Sequence, residues 1–361
     1  QLPERLQRCT RQLVLVSPVP FEKPVSDLVP DLSRYNTGLG RYVQAMKRIA
    51  DNQGALFVDL FDKATPGLTD NGMHIKPQAQ RLVAERMARQ LGVAVPTAQE
   101  LEALRLAVIE KHRLWYDYWR PANWKLLYGD DARRQFTRGG KNYIPFKEEW
   151  RQLVPLVAQA EERVWRIATG GEDPGANRPE PESLHGDADA DIDEELAAFS
   201  TWEGFEVNLF ASDREGLTSP LAIRWDPAGR AYVAVTTTYP HVFPGDLPND
   251  KIIMLEDADG DGVADRSTVF AEGLNIPTGI EWGEGGIYVG QNTEILFLKD
   301  TDGDGKADVR EVVLGGFGNG DSHQTINSFF WSPDGELFFG HGDGCESRVE
   351  TPWGASHLFN A

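Results

Sequence analysis

The sequence predicts a multidomain protein in which the C-terminal part of an α/β domain and a helical connector precede the first blades of an all-β propeller. Three observations lead to this prediction. Strands alternate with helices over residues 1–95, the net charge changes sign near residue 170, and short strand patterns repeat after residue 200. The chain has 361 residues, which is more than one hydrophobic core usually serves, so more than one domain is expected.

Residues 1–95 alternate between helical and extended patterns. A short helix at residues 1–12 precedes a β-rich run at 13–17, a helical spacing at 33–54, the strand ALFVDLF at 55–61 and an amphipathic stretch at 77–91. Strands that alternate with crossover helices form parallel sheets. This region is therefore predicted to be part of an α/β domain.

Residues 96–170 are predicted to be a helical, aromatic-rich connector. Thr97 and Glu100 have capping-box spacing, which indicates a helix through about Asp117, and a second helical run covers 146–167. Five aromatic residues lie between Trp115 and Trp124, and we expect this segment to pack against the α/β unit.

Charge separates the two halves of the chain. Residues 1–170 carry 26 Lys and Arg and 19 Asp and Glu, whereas residues 171–361 carry 10 and 37. Residues 171–200 lack the apolar residues of a core and are predicted to be an acidic linker. The acidic half is a poor candidate for binding nucleic acid, because phosphate contacts need clustered Lys and Arg.

Residues 201–361 contain internal repeats. IRWDPAGRAYVAV recurs as IEWGEGGIYVGQ and as FFWSPDGELFFGHG, and MLEDADGDGVADRSTVF recurs 43 residues later as FLKDTDGDGKADVREVV. Four-strand units that repeat at about 40 to 50 residues are typical of β-propeller blades. Roughly two and a half blades are predicted.

Two aspartate-rich loops in these repeats match the ligand spacing of calcium loops. Ca²⁺ prefers six to eight oxygen ligands, which short Asp side chains alternating with Gly can provide. The alternative explanation of these loops is structural, because Asp-Gly sequences form good hairpin turns. Calcium is favoured because the closely spaced carboxylates would otherwise repel. The predicted ligands are Asp257, Asp259, Asp261 and Asp265 in the first loop, and Asp300, Asp302, Asp304, Asp308 and Glu311 in the second.

The segment LTDNGMHIKPQAQRLVAERMARQLG resembles the closing block of SGNH (GDSL-like) hydrolases, which have a flavodoxin-like α/β fold. In that family an Asp three residues before a His orients the imidazole that activates a serine. His74 matches the histidine, but the position three before it is Asn71, and Asp70 is four before. Residues 1–95 contain no Gly-Asp-Ser, so no esterase activity is expected from this fragment.

The segment GFGNGDSHQTINSFFWSPDGELFFGHGDG resembles soluble quinoprotein sugar dehydrogenases, which are propellers that oxidise sugars with pyrroloquinoline quinone. The resemblance implies that His323 is a general base, with Asp321 and Gln324 beside it. The Gly-Arg that follows the motif in that family is replaced by Ile326 and Asn327. An alternative is a turn histidine that Asp321 satisfies.

The order of α/β unit, connector, acidic linker and propeller resembles that of large planctomycete-type proteins classed as membrane-bound dehydrogenases. The resemblance implies an exported, extracytoplasmic protein of which this chain is an interior fragment, with N- and C-terminal portions missing and any haem c in the missing region. No apolar run in the sequence is long enough to cross a bilayer. The leading prediction is oxidation of a sugar or polyol. Alternatives are a calcium-stabilised propeller that binds carbohydrate or protein without catalysis, and an accessory module of an esterase.

Overall fold

The structure is a computed structural model that describes residues 10, 12–24, 30–62, 66–69, 71–128, 135–138, 141–176, 191–342, 344–351 and 353–359. Residues 1–9 and 11 of the expected first helix, Asp70 and residues 177–190 of the acidic linker therefore lie outside the described residues. The chain divides into two units, residues 1–102 with 352–354 and residues 103–351 with 355–361.

The first unit contains a parallel strand pair. Strand β1 (Val14–Val16) pairs in parallel with β2 (Leu56–Val58), and the helix α1 (Asn36–Gln53) connects them. Gly54 has a φ of 63° and ends α1, because only glycine adopts this left-handed conformation without strain. Pro77 begins α2 (Pro77–Gln90), where its fixed φ suits a first helical turn. The parallel pairing agrees with the α/β arrangement expected here.

The helical connector follows, and from residue 103 onward it belongs to the second unit. Its elements are α3 (Ala98–Trp119), α4 (Lys125–Tyr128), the hairpin β3 (Gln135–Arg138) and β4 (Lys141–Pro145), α5 (Phe146–Trp150) and α6 (Leu153–Ala168). The predicted capping box is present, since Glu100 N–H donates to Thr97 Oγ1 and Thr97 N–H donates to Glu100 Oε2. The single helical run predicted at 146–167 is two helices, separated at residues 151–152.

The aromatic segment belongs to the second unit. Tyr118 and Trp150 stack with ring centroids 4.4 Å apart, and Trp150 Nε1 donates to the Tyr118 carbonyl at 2.9 Å. Leu114 of α3 and Leu153 of α6 are buried beside them. This core joins the two long helices of the connector.

Antiparallel sheets form the rest of the second unit. After the short helix α7 (Ile192–Ala197), which lies inside the predicted linker, two four-stranded sheets follow in the orders β5-β6-β7-β8 and β9-β10-β11-β12, and then two hairpins. Within the described residues the sheets do not close into a barrel. The strands are β5 (Pro220–Trp225), β6 (Ala231–Val235), β7 (Asp250–Glu256), β8 (Arg266–Leu274), β9 (Pro277–Gly283), β10 (Gly286–Gln291), β11 (Glu294–Lys299), β12 (Val309–Gly315), β13 (Asn327–Trp331), β14 (Leu337–Gly340), β15 (Glu346–Thr351) and β16 (Gly354–Phe359).

The repeated tryptophan strands β5, β9 and β13 are the first strands of successive sheets. Trp331 Nε1 of β13 donates to the Trp282 carbonyl of β9 at 2.7 Å. A Cβ at Gly283 would lie 2.4 Å from the Trp331 ring, so only glycine permits this close approach. Tyr232, Ile252, Ile280, Ile287 and Leu296 belong to one buried cluster that joins the two four-stranded sheets. The sheets therefore share a core.

Candidate functional site

A single helical turn before β13 carries the candidate base. Residues Ser322–Gln324 form a 3₁₀ turn, and Asp321 caps it by accepting the His323 backbone N–H at 3.1 Å. A capping Asp satisfies a backbone donor that the turn itself leaves unpaired. The sequence Asp-Ser-His-Gln thus fixes the direction of His323 locally.

The Asp321 carboxylate holds the His323 ring. His323 Nδ1 lies 2.9 Å from Asp321 Oδ1, and an imidazole nitrogen beside a carboxylate donates its proton to it. Nε2 then carries the lone pair that can accept a proton. The ring is 56% exposed while the Asp321 side chain is 17% exposed, so a half-buried carboxylate orients a solvent-facing imidazole. Tyr239 contacts the ring edge-on at a centroid distance of 5.3 Å.

Lys125 of the connector pairs with the other oxygen of Asp321. Burial tends to raise the pKa of Asp321, but the hydrogen bonds from Lys125 and His323 outweigh it and hold the pKa below its ordinary value. Burial, together with the charge of Asp321, raises the pKa of Tyr239. Asp321 is therefore ionised at neutral pH, as a carboxylate that orients a base must be.

A buried hydrogen-bond chain anchors the turn to the connector. The Ser322 backbone N–H donates to Asn123 Oδ1 at 2.8 Å, and the Asn123 N–H donates to the Asn319 carbonyl at 2.8 Å. The Ser322 hydroxyl donates to the Pro240 carbonyl, and the Ser322 residue is 0% exposed. Gly320, Asp321 and Ser322 spell Gly-Asp-Ser, but this buried hydroxyl is not placed to act as a nucleophile.

Gln324 lies at the end of the turn and contacts the loop that follows β14. The Gly342 N–H donates to the Gln324 carbonyl at 2.9 Å. A Cβ at residue 342 would lie 2.8 Å from Gln324 Cβ and 3.0 Å from its Cα, so glycine permits this close approach. The structure places Asp321, His323 and Gln324 in and beside one short turn.

Sequence reasoning missed the residues of the connector that support this site. Lys125 and Asn123 lie in the aromatic segment, about 200 residues before the turn that they contact. Contacts between residues so far apart in the sequence leave no periodic pattern that could predict them. His241 Nε2 lies 2.6 Å from Glu149 Oε1, and both residues are buried. The Asn123 Nδ2 atom lies 3.4 Å from His241 Nδ1, so this pair adjoins the same anchor.

The two aspartate loops have the same internal hydrogen bonds. In the first, Asp257 accepts from the Gly260 and Gly262 N–H groups at 2.7 and 3.0 Å. In the second, Asp300 accepts from the Gly303 and Gly305 N–H groups at 2.7 and 2.9 Å. These bonds lower the pKa of Asp300 against the opposing effect of its burial. The repeat seen in sequence is therefore a repeat in conformation.

Three carboxylates converge in each loop. Ligand oxygens within 4.8 Å of one another come from Asp257, Asp259 and Asp265 in the first loop and from Asp300, Asp302 and Asp304 in the second. These two groups do not include Asp261, Asp308 and Glu311. Asp308 accepts from the Thr301 N–H and hydroxyl, and Glu311 lies within β12.

Each aspartate loop also bonds to the chain that precedes its sheet. The Ala307 N–H of the second loop donates to the Phe270 carbonyl of β8 at 2.8 Å, and the Ala264 N–H of the first donates to the Phe210 carbonyl at 2.8 Å. Arg310 extends the contact of the second loop, because it donates to the carbonyls of Glu272 and Gly273 at 3.0 Å. The loops therefore connect neighbouring segments as well as closing hairpins.

His74 of the first unit has a different neighbour. Asn71 Nδ2 lies 2.9 Å from His74 Nδ1, and Asn71 Oδ1 accepts the His74 backbone N–H at 2.9 Å. Asn71 thus places an amide donor where the hydrolase arrangement has a carboxylate acceptor. The other sequence-predicted member, Asp70, lies outside the described residues.

Comparisons with known proteins give a match of part of the chain to a family model without an assigned function. Residues 191–358 match the model of a family described as a domain of unknown function, DUF7133. No curated protein matches the chain significantly. One similar solved structure, described as "Iodide structure of Trichoderma reesei Carbohydrate-Active Enzymes Family AA12", shares 17% identity, with a TM-score of 0.29, over 40% of this chain and 34% of that one. The chain spans about a third of that protein, and a likeness this weak supports no conclusion.

Proposed function

We propose that the second unit is part of a dehydrogenase-like β-propeller that oxidises a sugar or polyol, with His323 as the general base. The observation that carries the proposal is the exposed imidazole that the half-buried Asp321 carboxylate holds through Nδ1. In this role His323 Nε2 accepts the proton of a substrate hydroxyl while the carbon that bears this hydroxyl loses a hydride to an oxidant, which leaves a carbonyl group. Asp321 stabilises the imidazolium that forms.

The sequence resemblance implies that the oxidant would be pyrroloquinoline quinone. It supplies a two-electron hydride acceptor and carries three carboxylates, so its site needs clustered cations. Among the described residues around His323, Lys125 is the cation that contacts the motif, and Asp321 engages it. The described residues therefore do not fit the quinone, and no residue of this chain is assigned to hold it.

The repeated four-stranded sheets support the propeller architecture. Each sheet is a meander whose first strand bears a repeated Trp, and neighbouring sheets share a core. In this proposal the two aspartate loops bind calcium and stabilise successive blades, since each loop joins an outer hairpin to the preceding segment. An extracytoplasmic location follows from the sequence resemblance. Among the described residues no helix has the length and apolarity of a bilayer-spanning segment.

Replacing His323 tests the proposal. We expect H323A to lower dye-linked oxidation of aldoses and polyols about a hundredfold, the scale for a positioned general base. The assay uses protein incubated with pyrroloquinoline quinone and calcium. His357 is a matched control, because its ring is 55% exposed and also hydrogen-bonded to a carboxylate, Glu346.

Two outcomes would overturn the dehydrogenase proposal. One is that the wild-type protein, loaded with quinone, oxidises no aldose or polyol. The other is that H323A and H357A oxidise the substrate as fast as wild type. Either result would favour a propeller that binds carbohydrate or protein without catalysis.

A further inference from the structure

A cavity of about 240 Å³ lies between the connector and the loops of the two four-stranded sheets, within the second unit. Its walls come from α3, α5 and the start of α6 on one side, and from the loops around His241 and Asn292 on the other. At about 30 Å³ for each water molecule, the cavity has room for about eight waters or one small organic molecule. His323 is not among its lining residues.

Buried acceptor oxygens face this cavity. Glu149 Oε2, Asn275 Oδ1 and Asn292 Oδ1 are fully buried, and no hydrogen-bond donor of the described residues reaches them. Glu149 is 2% exposed, and His241 uses its other oxygen at 2.6 Å. Buried polar groups in folded proteins almost always have partners, so three acceptors around one cavity point to a ligand that brings O–H or N–H donors.

The charge of the lining favours a neutral ligand. Three carboxylates (Asp117, Glu149 and Glu294) and two guanidinium groups (Arg113 and Arg120) line the cavity. Burial raises the pKa of Asp117 to about 6, against the opposing charge of Arg113. An anionic ligand such as a phosphate ester would meet the carboxylates, and a cationic ligand would meet the guanidinium groups. A hydroxyl both donates and accepts, so a polyhydroxylated molecule satisfies both kinds of group.

A cleft continues from the mouth of the cavity. Arg120, Pro121 and Thr293 line both spaces, and the cleft adds Trp119 and Trp124. Trp119 is 72% exposed and lies nearly parallel to Trp115, with ring centroids 6.0 Å apart and an interplanar angle of 21°. The electron-rich face of an indole suits the polarised C–H face of a sugar ring. A rigid aromatic surface also costs little conformational entropy on binding.

We propose that the cavity binds one sugar unit of a neutral saccharide and that the cleft holds the next unit against Trp119. Glu149, Asn275 and Asn292 accept hydrogen bonds from the hydroxyls of the first unit. This site is separate from the turn that carries His323, and it does not require the dehydrogenase activity.

The test measures binding to the full 361-residue chain by titration calorimetry, without quinone or electron acceptor. The probes are glucose, galactose, mannose and xylose and their β-1,4-linked disaccharides. We expect at least one disaccharide to bind about tenfold more tightly than its monosaccharide. E149Q should weaken both about tenfold, because the buried acceptor is replaced by an amide.

W119A should reduce disaccharide affinity to that of the monosaccharide and leave monosaccharide binding unchanged. Trp119 is exposed, so this variant tests the proposal even if E149Q does not fold. Trp202, 87% exposed and outside both spaces, is the matched control, and W202A should bind both sugars as wild type does.

The cavity proposal is wrong if no probe binds, or if binding survives unchanged in both E149Q and W119A. It is also wrong if H323A abolishes binding while E149Q retains it, since the sugar would then occupy the proposed reaction site. Failure of the oxidation assay alone leaves the saccharide site standing, because binding is measured without an oxidant.

Discussion

Two histidines, one in each unit, resemble catalytic bases in sequence but have different neighbours in the structure. His323 Nδ1 lies 2.9 Å from a carboxylate oxygen of Asp321, whereas His74 Nδ1 lies 2.9 Å from the amide nitrogen of Asn71. A carboxylate accepts the Nδ1 proton and stabilises the imidazolium, but an amide N–H donor does neither. The group that orients the ring, rather than the histidine itself, therefore distinguishes a candidate base from a loop residue.

Replacing Asp321, the carboxylate that orients His323, should have the largest effect on the difference between the two histidines. We expect D321N to lower sugar or polyol oxidation about tenfold, less than the loss of His323 itself, because the base remains but its imidazolium is no longer stabilised. Initial rates with a redox dye measure this effect. Lys125 should lose its partner too, so the unfolding temperature is measured alongside.

A second buried aspartate controls for stability in that experiment. Asp226 accepts from the Arg230 guanidinium at 2.6 Å and lies far along the chain from the turn. D226N should lower the unfolding temperature but leave the rate unchanged while the protein is folded. If D321N retains full activity, or if D226N lowers the rate as much, Asp321 is not a positioning residue.

Calcium should raise the unfolding temperature of the second unit and leave that of the first unchanged. Because an ion that binds only the folded state stabilises it, calcium at about 100 times its dissociation constant adds about 2.7 kcal/mol, which corresponds to roughly 5–10 °C for a unit of this size. Calorimetry with calcium or with a chelator should show this rise in the transition of the second unit alone. The motivating observation is the convergence of three carboxylates in each loop.

D302A should reduce this calcium-dependent rise, because Asp302 is one of the converging residues of the second loop. Asp334 is the control, since it lies in the turn between β13 and β14, outside the two aspartate loops. D334A should retain the full rise. Equal melting temperatures with calcium and with chelator, in wild type and in D302A, would show that the loops are hairpin turns alone.

Local sequence patterns predicted the helices and strands better than they predicted the residues of the candidate site. Alternation and turn residues located the Trp hairpins, and Pro77 and Gly54 marked helix ends because their backbone preferences act locally. The capping Asp321 was also readable from its neighbours. The contact between Lys125 and Asp321 spans 196 residues, and that between Glu149 and His241 spans 92. Pairings at such separations depend on tertiary packing and leave no periodic pattern in the sequence.

The smallest effect is expected at His74, where substitution should leave the rate of ester hydrolysis unchanged. The wild-type chain, H74A and N71D should all hydrolyse p-nitrophenyl acetate at the background rate. Asn71 Oδ1 accepts from the N–H groups of Met73 and His74 at 3.1 and 2.9 Å, which directs its amide nitrogen toward the ring. N71D should replace that donor with an acceptor and so give His74 the kind of neighbour that His323 has.

Residues 1–95 contain no Gly-Asp-Ser whose serine a restored orienting group could activate. In the described part of the first unit, Ser17 Oγ is buried, donates to the Pro18 carbonyl and accepts the Leu60 N–H at 2.8 Å, so it is not placed to attack an ester. Turnover in wild type that disappears in H74A would show that His74 already serves a nucleophile. Turnover that rises in N71D above wild type would show that the orienting carboxylate was the only part lacking. Equal background rates in all three proteins would leave His323 as the histidine with the neighbours of a base, because among the described residues it is there that a carboxylate faces Nδ1 beside a solvent-facing ring.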